Sequence, residues 1–461
     1  MSFSVGPTIK YKTVTDIRGT LIFLNHIKDV AYEEIVKIHL PSGEIRTGQV
    51  LQADENATIV QVFEGTESLD RANTEIEFSR EVFKVGLSEN MIGRTMDGLG
   101  TPIDGMGDIV PEKRIPITGS PMNPIKRKRP QSFIETGYSV IDGLNSLVQG
   151  QKLPIFTGAG LNTTEVAANI AINSKVLHSN DQLDVIFVGM GITDRESRYF
   201  RNIFKEKSSG NIAFFSNYTM DSIVERLLIP SVALTFAEYL AFEKNRHVLV
   251  ILHDMLNYAE ALREISTYRK EFPGRRGYPP YLYTSLASIY ERAGGLEKED
   301  GSITLLPIVT MPNDDITHPI PDLTGFITEG QIIISRDLYN KGIFPPLDPQ
   351  PSLSRLMNEG IGEGKTREDH SALANQLFAS YAQGKKLVQL ASIAGEESLD
   401  SRDKKFLDFV NYFEKEFINQ NQPRTIQETL DIGWKTLTKV PKSTLNRISK
   451  DFVSKYYPEE V

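Results

Sequence analysis

This sequence lacks cysteine, long apolar runs and an excess of positive charge. Its 461 residues include no cysteine, which excludes disulfide bonds and cysteine-ligated metal sites and fits a reducing compartment. No apolar run approaches the roughly 18 residues that a membrane-spanning helix needs, and the N-terminus lacks the basic and apolar regions of a secretory signal. Acidic residues outnumber basic ones by 60 to 51, and the formal charge of −9 argues against a mainly nucleic-acid-binding protein.

Three zones of different composition follow one another along the chain. Closely spaced β-rich runs predict a small β-barrel over residues 1–75. Apolar runs without alternation predict an α/β domain over residues 76–345, with a parallel sheet covered on both faces. A Gly- and Pro-rich segment ends that zone, and a helical domain is expected over residues 346–461. The clearest strands are 34–40, 44–53 and 57–63 in the first zone, and 183–188, 212–215, 247–252 and 303–310 in the second.

One stretch of the middle zone has the layout of a phosphate loop without its phosphate chemistry. A working loop, G-x-x-x-x-G-K-[ST], uses its second Gly to let backbone N–H groups surround the phosphates, Lys for charge and Ser or Thr for magnesium. Here those three positions hold Thr163, Thr164 and Glu165. We therefore predict a degenerate phosphate loop made of Gly158, Ala159, Gly160, Leu161, Asn162, Thr163, Thr164 and Glu165.

Two further strand ends bear on nucleotide chemistry. Asp254 ends an apolar strand where phosphate-loop proteins hold magnesium, although Asp is also a favoured helix N-cap. Because the loop lysine and hydroxyl are missing, we interpret Asp254 as a capping or hydrogen-bonding residue at a degenerate acidic position. A hydrolytic ATPase also needs a carboxylate to polarise the attacking water, and Ile192 stands at that position. His253 and His318 lack partners at metal-ligand spacing, so we predict no metal site.

Longer and less degenerate motifs run through almost the whole chain. They are Gly48–Leu51, Phe63–Thr66, Asp254–Ser266, Pro273–Pro279, Thr317–Gly325, Glu329–Ile332, Pro351–Leu356 and Thr425–Asp431. In content and order these motifs resemble the B subunit, regulatory and non-catalytic, of V/A-type rotary ATPases. The catalytic A subunit of that family is longer and carries the full phosphate loop and a Gly-x-Gly-Glu. The residues Thr164, Glu165 and Ile192 therefore agree with the B subunit and oppose the A subunit.

The resemblance implies an architecture and a set of partners. It implies an N-terminal β-barrel, a RecA-like central domain and a C-terminal helical domain. Three such chains would alternate with three catalytic A-type subunits in a ring around a central shaft, with a peripheral stalk outside. ATP or ADP would lie at the interface, with Mg²⁺ held by the catalytic partner. The complex would couple ATP hydrolysis or synthesis to H⁺ or Na⁺ movement from the cytoplasmic face of a membrane, which this chain reaches only indirectly.

The resemblance also implies roles for two segments. Arg355, in the run Ser352-Leu353-Ser354-Arg355, would reach the nucleotide of the catalytic neighbour in trans, where a planar charged donor stabilises the γ-phosphoryl group. The alternative is an intrachain salt bridge, for example to Asp348 or Glu359. A second segment would face the central shaft, or else form an ordinary rigid turn. It consists of Pro273, Gly274, Arg275, Arg276, Gly277, Tyr278 and Pro279.

Two other classes of protein stay open at this point. A self-sufficient ATPase, such as a catalytic rotary subunit or a flagellar-type export motor, would require Lys and Ser or Thr where Thr164 and Glu165 stand. A RecA-like nucleic-acid motor of the transcription-terminator kind is also hexameric and has a small N-terminal β-domain. That class conflicts with the missing lysine and with the acidic balance of the chain.

Overall fold

A computed structural model describes residues 10–458, apart from 26, 28–29, 54–56, 120–121 and 178–182. The predicted absence of a secretory signal concerns the first residues of the chain, which lie outside the described range. Within the described range no helix combines the length and the apolar character that crossing a membrane requires.

The first zone forms a seven-stranded antiparallel sheet with its own core. The sheet order is β1-β7-β4-β5-β6-β3-β2, and the three predicted strands are confirmed as β4, β5 and β6. Alternating side chains such as Val36, Ile38 and Val50 are fully buried in that core. The strands are β1 (Lys10–Tyr11), β2 (Val14–Arg18), β3 (Leu21–Asn25), β4 (Glu34–His39), β5 (Ile45–Ala53), β6 (Ala57–Val62) and β7 (Glu75–Val82).

The middle zone is built on a second sheet whose central strands are parallel, as predicted. The order is β21-β20-β13-β19-β17-β15-β16-β9, with β18 paired to β19, and the four predicted strands correspond to β15, β16, β17 and β19. The strands after β7 are β8 (Lys84–Leu87), β9 (Thr95–Met96), β10 (Lys113–Pro116), β11 (Phe133–Glu135), β12 (Leu147–Val148), β13 (Ile155–Gly158), β14 (Lys175–Val176), β15 (Leu183–Ile192), β16 (Ile212–Tyr218), β17 (His247–His253), β18 (Gly294–Gly295), β19 (Ser302–Met311), β20 (Gly330–Ile334) and β21 (Leu347–Ser354).

Both faces of this sheet are buried, which explains why its strands read as continuous apolar runs. Along β15, Val185 and Phe187 enter one core, whereas Ile186 and Val188 enter the core on the opposite face. The helices of this zone are α1 (Ser139–Leu144), α2 (Thr163–Asn173), α3 (Asp194–Lys207), α4 (Ile223–Glu238, continued by a π-helical turn), α5 (Met255–Tyr268), α6 (Leu282–Tyr290), α7 (Pro319–Ile327) and α8 (Arg336–Asn340).

Both predicted domain boundaries differ from the strand pairing. β7 runs to Val82 and pairs with β4, so the first sheet continues past residue 75. β21 pairs with β20, so residues 347–354 add an edge strand to the central sheet rather than joining the helical domain. Pro349 and Pro351 hid this strand in the sequence, because proline is tolerated only in strands with an unpaired edge.

The remaining chain is helical, as predicted, and shares a core with the middle zone. Leu373, Leu377 and Tyr381 line the buried face of one long helix. The chain's single tryptophan, Trp434, is 1% exposed, and its Nε1–H donates to Asp369 at 2.6 Å. The helices are α9 (Met357–Gly360), α10 (His370–Ala394), α11 (Ser401–Tyr412, continued by a π-helical turn), α12 (Ile426–Leu437) and α13 (Lys450–Tyr456).

Candidate functional site

The degenerate phosphate loop lies at the carboxyl edge of the parallel strands, where ligands of α/β sheets bind. β13 ends at Gly158 and α2 begins at Thr163. Gly160 has a φ of +79°, a left-handed conformation that favours glycine. Thr163 replaces the second glycine of the loop; it is buried, and its hydroxyl lies 2.6 Å from that of Thr157. A side chain thus fills the place where a working loop has only backbone.

An internal ion pair lies against this loop. Arg336 donates to the carbonyl oxygen of Ala159 at 2.9 Å and to both carboxylate oxygens of Asp314 at 2.6 and 2.9 Å. Asp314 Oδ1 lies 2.0 Å from where a Cβ on Gly158 would stand. The hydrogen bond from Arg336 holds the pKa of Asp314 below its usual range. The exposed Glu165 therefore opposes polyphosphate at this loop, whereas Asp314 is paired with Arg336 and occupies the space beside Gly158.

Ile192, at the position where the sequence predicts the loss of a catalytic carboxylate, is apolar and buried. Ile192 is 2% exposed and packs over Gly189, where a Cβ would lie 2.7 Å from Ile192 Cδ1. Glu196 is close by, but its Oε2 accepts from the backbone N–H and the hydroxyl of Thr193, each at 2.8 Å. Its Oε1 accepts from the Thr164 hydroxyl at 3.4 Å. Glu196 is therefore a helix-capping residue and does not replace the missing acid.

We predict that Thr193→Ala loosens the start of α3. The substitution removes one half of a capping box, which is worth about 1 kcal/mol. Amide hydrogen exchange of the α3 peptides should become faster by the corresponding factor. Thr425→Ala, which removes the equivalent box of α12, is the matched control and should affect only the exchange of α12. Unchanged exchange of α3 in Thr193→Ala would contradict the capping role.

Asp254 is a buried structural carboxylate, in line with its interpretation as a cap. Its Oδ1 accepts from the backbone N–H of Leu256 at 2.8 Å, at the start of α5, and from that of Thr310 at 3.1 Å. Its Oδ2 accepts from the Thr310 hydroxyl. The adjacent His253 packs against Phe187 and Phe200, and burial lowers its pKa. Within the described ranges no group of three or more His, Cys, Asp or Glu could hold a metal ion.

Arg355 is exposed, and in the described part of the chain it lacks the intrachain salt bridge that was the alternative to a role in trans. No carboxylate oxygen in the described part of the chain lies within 4.0 Å of its guanidinium group, whose Nη1 reaches only the Thr328 carbonyl at 3.5 Å. Glu359 pairs instead with Arg129 at 2.5 Å. Asp348 accepts from the backbone N–H of Gln350 at 3.0 Å.

Arg355 and the degenerate loop lie at opposite ends of the central sheet. β20 runs parallel to β13, whereas β21 returns antiparallel and ends beside the start of β20, where Ser354 pairs with Gly330. Following these registers, Arg355 lies about six residue steps from Gly158, or roughly 20 Å along the strands. This separation exceeds the length of an arginine side chain. Arg355 therefore cannot reach phosphates at the loop of its own chain.

The segment Pro273–Pro279 is a turn whose two arginines form ion pairs with aspartates elsewhere in the chain. Arg275 contacts Asp322 at 2.8 Å, and Arg276 contacts Asp315 at 2.7 Å. Arg276 and Gly277 both have positive φ angles, of 54° and 82°. The positive charge of this turn is therefore balanced by Asp315 and Asp322.

Sequence reasoning missed Asp314 and Arg336, which the structure places against the loop. Asp314 lies four residues after the predicted strand 303–310, in the polar run Asn313-Asp314-Asp315, and this was a usable signal. Nothing local marks Arg336, because its contact with the loop depends on the pairing of β20 with β13.

Comparisons with known proteins agree over most of the chain. Residues 14–80 match the model of the ATP synthase alpha/beta family, beta-barrel domain, and residues 137–354 match that family's nucleotide-binding domain. Residues 359–457 match the C-terminal domain of V and A type ATP synthase. The three-part fold predicted from sequence is thereby confirmed. Among solved structures, the chain is similar to the ATP synthase subunit NeqB from Nanoarcheaum equitans, with 39% identity, a TM-score of 0.71, and coverage of 91% of this chain and 99% of that one.

Proposed function

This chain belongs to the ATP synthase alpha/beta family, with a C-terminal domain of the V and A type, and we propose that it is the non-catalytic, B-type subunit of a V/A-type rotary ATPase. Its own loop supports this assignment. Thr164 supplies no positive charge, Glu165 stands where a hydroxyl would hold magnesium, and Ile192 replaces the acid that would activate water. The residues present do not fit a Mg²⁺-nucleotide, so no catalytic step is assigned to this loop.

The observation that carries the proposal is the position of Arg355. It is an exposed arginine without an ion pair in the described ranges, at the end of the sheet opposite its own loop. A guanidinium group that is exposed and distant from its own loop is suited to contact a nucleotide held by another polypeptide. In this proposal the catalytic partner supplies the phosphate loop, the acid and Mg²⁺, and Arg355 stabilises the charge that develops on the γ-phosphoryl group.

The remaining partners follow from the same proposal. Three copies of this chain alternate with three catalytic subunits around a central shaft, with the turn Pro273–Pro279 facing the shaft. A peripheral stalk holds the ring at the cytoplasmic face of a membrane. ATP turnover is coupled there to H⁺ or Na⁺ movement through a separate membrane sector, so that this chain contacts the membrane only indirectly.

We expect the purified chain to be folded and to hydrolyse no ATP, and to support turnover only when mixed with a catalytic partner. Steady-state ATPase assays of the chain, the partner and the mixture test this, with assembly followed by native mass. Magnesium-dependent turnover by the chain alone at about 1 s⁻¹ or more, a typical enzyme rate, would favour the self-sufficient ATPase. Turnover that depends on added nucleic acid would favour the nucleic-acid motor.

A further inference from the structure

Arg355 has a natural ion-pair partner in Glu329, the residue just before the neighbouring strand β20. Gly330 of β20 pairs with Ser354 of β21, and the backbone N–H of Arg355 donates to the Glu329 carbonyl at 3.0 Å. Continuing this register sets Glu329 directly opposite Arg355. Side chains of directly opposite residues in an antiparallel pair emerge on the same face, and opposite charges there attract each other. The backbone geometry therefore favours a Glu329–Arg355 salt bridge.

That salt bridge is absent because Lys152 binds both oxygens of the Glu329 carboxylate. The Lys152 Nζ lies 2.9 Å from Glu329 Oε1, and the Lys152 backbone N–H donates to Glu329 Oε2 at 2.8 Å. The backbone N–H of Glu329 in turn donates to the Lys152 carbonyl at 3.0 Å. The carboxylate is thus held on the side of Lys152, and the Arg355 guanidinium is left with only the long contact to Thr328.

The surroundings of Lys152 keep it in this position. Its side chain is 3% exposed, and its Nζ also contacts Glu291 at 3.2 Å, which pairs further with Arg127 at 2.7 Å. A buried ammonium group needs such partners. Gln151, fully buried next to Lys152, bridges the Glu329 carbonyl and the Ser354 hydroxyl through its Nε2, at 3.2 and 2.9 Å. These hydrogen bonds fix the backbone next to Arg355, while the Arg355 guanidinium group makes no ion pair in the described part of the chain.

We infer that Lys152 is a positioning residue for Arg355: by sequestering the Glu329 carboxylate, it keeps the arginine available for a phosphate group bound by a neighbouring chain. The inference rests on the proposed function of Arg355. It identifies Glu329 as the internal competitor of the nucleotide, and Lys152 as the group that suppresses this competition.

The test is the ATP turnover of rings that contain Lys152→Met, with and without Glu329→Gln. In Lys152→Met the Glu329 carboxylate loses its lysine partner and should form an ion pair with Arg355. Because a smaller fraction of Arg355 is then free to contact the nucleotide, kcat should fall roughly tenfold, with little change in KM. Adding Glu329→Gln, which cannot form an ion pair, should restore turnover to within about threefold of wild type. Lys341→Met is the matched control, since it removes a lysine that pairs with another carboxylate, Glu414, away from this cluster, and turnover should not change.

A double-mutant cycle with Arg355→Ala separates positioning from mere stability. If Lys152 acts through Arg355, adding Lys152→Met to Arg355→Ala should lower turnover no further. Full turnover in Lys152→Met, or a loss that Glu329→Gln fails to restore, would overturn the inference. If Lys152→Met rings do not assemble, Lys152→Gln carries the same test. Normal turnover in Arg355→Ala would instead refute the proposed function itself, so the two failures are distinguishable.

Discussion

Replacing Arg355 by alanine is expected to lower the ATP turnover of reconstituted mixed rings about 10³-fold, the magnitude typical of an arginine supplied in trans. The side chain is exposed and makes no ion pair in the described part of the chain, so its removal should leave the fold and the ring intact. Native mass and thermal unfolding would verify that assembly and stability are unchanged. With assembly unchanged, the loss of ATP turnover should appear as a lower kcat.

Two further variants make this result specific. Arg355→Lys should recover little activity, because an ammonium group cannot reproduce the planar, bidentate geometry of guanidinium. Arg129→Ala removes another exposed arginine, which pairs with Glu359 close to the same motif, and it should leave turnover near wild type. Turnover close to wild type in an intact Arg355→Ala ring would leave this chain a structural spacer.

The second large effect is expected from rebuilding the phosphate loop. Thr164→Lys with Glu165→Thr should tighten ADP binding to the isolated chain at least about 100-fold, because it adds charge-assisted contacts of about 1.5–3 kcal/mol each and removes a repelling carboxylate. Thr163→Gly should add backbone freedom for the turn. Asp314→Asn should tighten binding further, since it leaves the positive charge of Arg336 without its carboxylate partner beside the loop.

Calorimetry with ADP and ATP measures this directly. Thr164→Met with Glu165→Thr is the matched control: it removes the same repulsion but adds no positive charge, and it should gain much less affinity. ATP binding by the unmodified chain in the low micromolar range would show that this interpretation of the loop is wrong. Even a rebuilt loop should not hydrolyse ATP, because Ile192 still occupies the position of the catalytic acid.

The sequence predicted elements whose signal is local. Four strands of the central sheet, β15, β16, β17 and β19, were predicted because a sheet covered on both faces demands unbroken apolar runs. β7 continues past the first expected domain boundary and β21 lies past the second, and neither strand was recognised in the sequence, for different reasons. β7 is rich in charged residues, and β21 contains two prolines that only an edge strand tolerates. Each was revealed only by its pairing partner.

The same distinction applies to the candidate site. The proposed substitutions at Thr164, Glu165 and Ile192 were inferred from the sequence, because each residue lies at a fixed offset within a motif. The partnerships of Asp314 with Arg336, and of Lys152 with Glu329, join residues that are distant in the chain. They depend on the order of β19, β13 and β20 in the sheet, which composition does not specify.

The burial of Trp434 has a spectroscopic consequence. Since it is the single tryptophan of 461 residues, fluorescence excited at wavelengths that tyrosine does not absorb comes from one place in the molecule, the core of the C-terminal helical domain. Its indole is hydrogen-bonded to the buried Asp369 and stacks on Tyr456, with 6.1 Å between the two ring centroids. Its emission therefore reports loosening of that domain in the isolated chain without any added label. Unfolding of the N-terminal sheet alone would leave this emission unchanged.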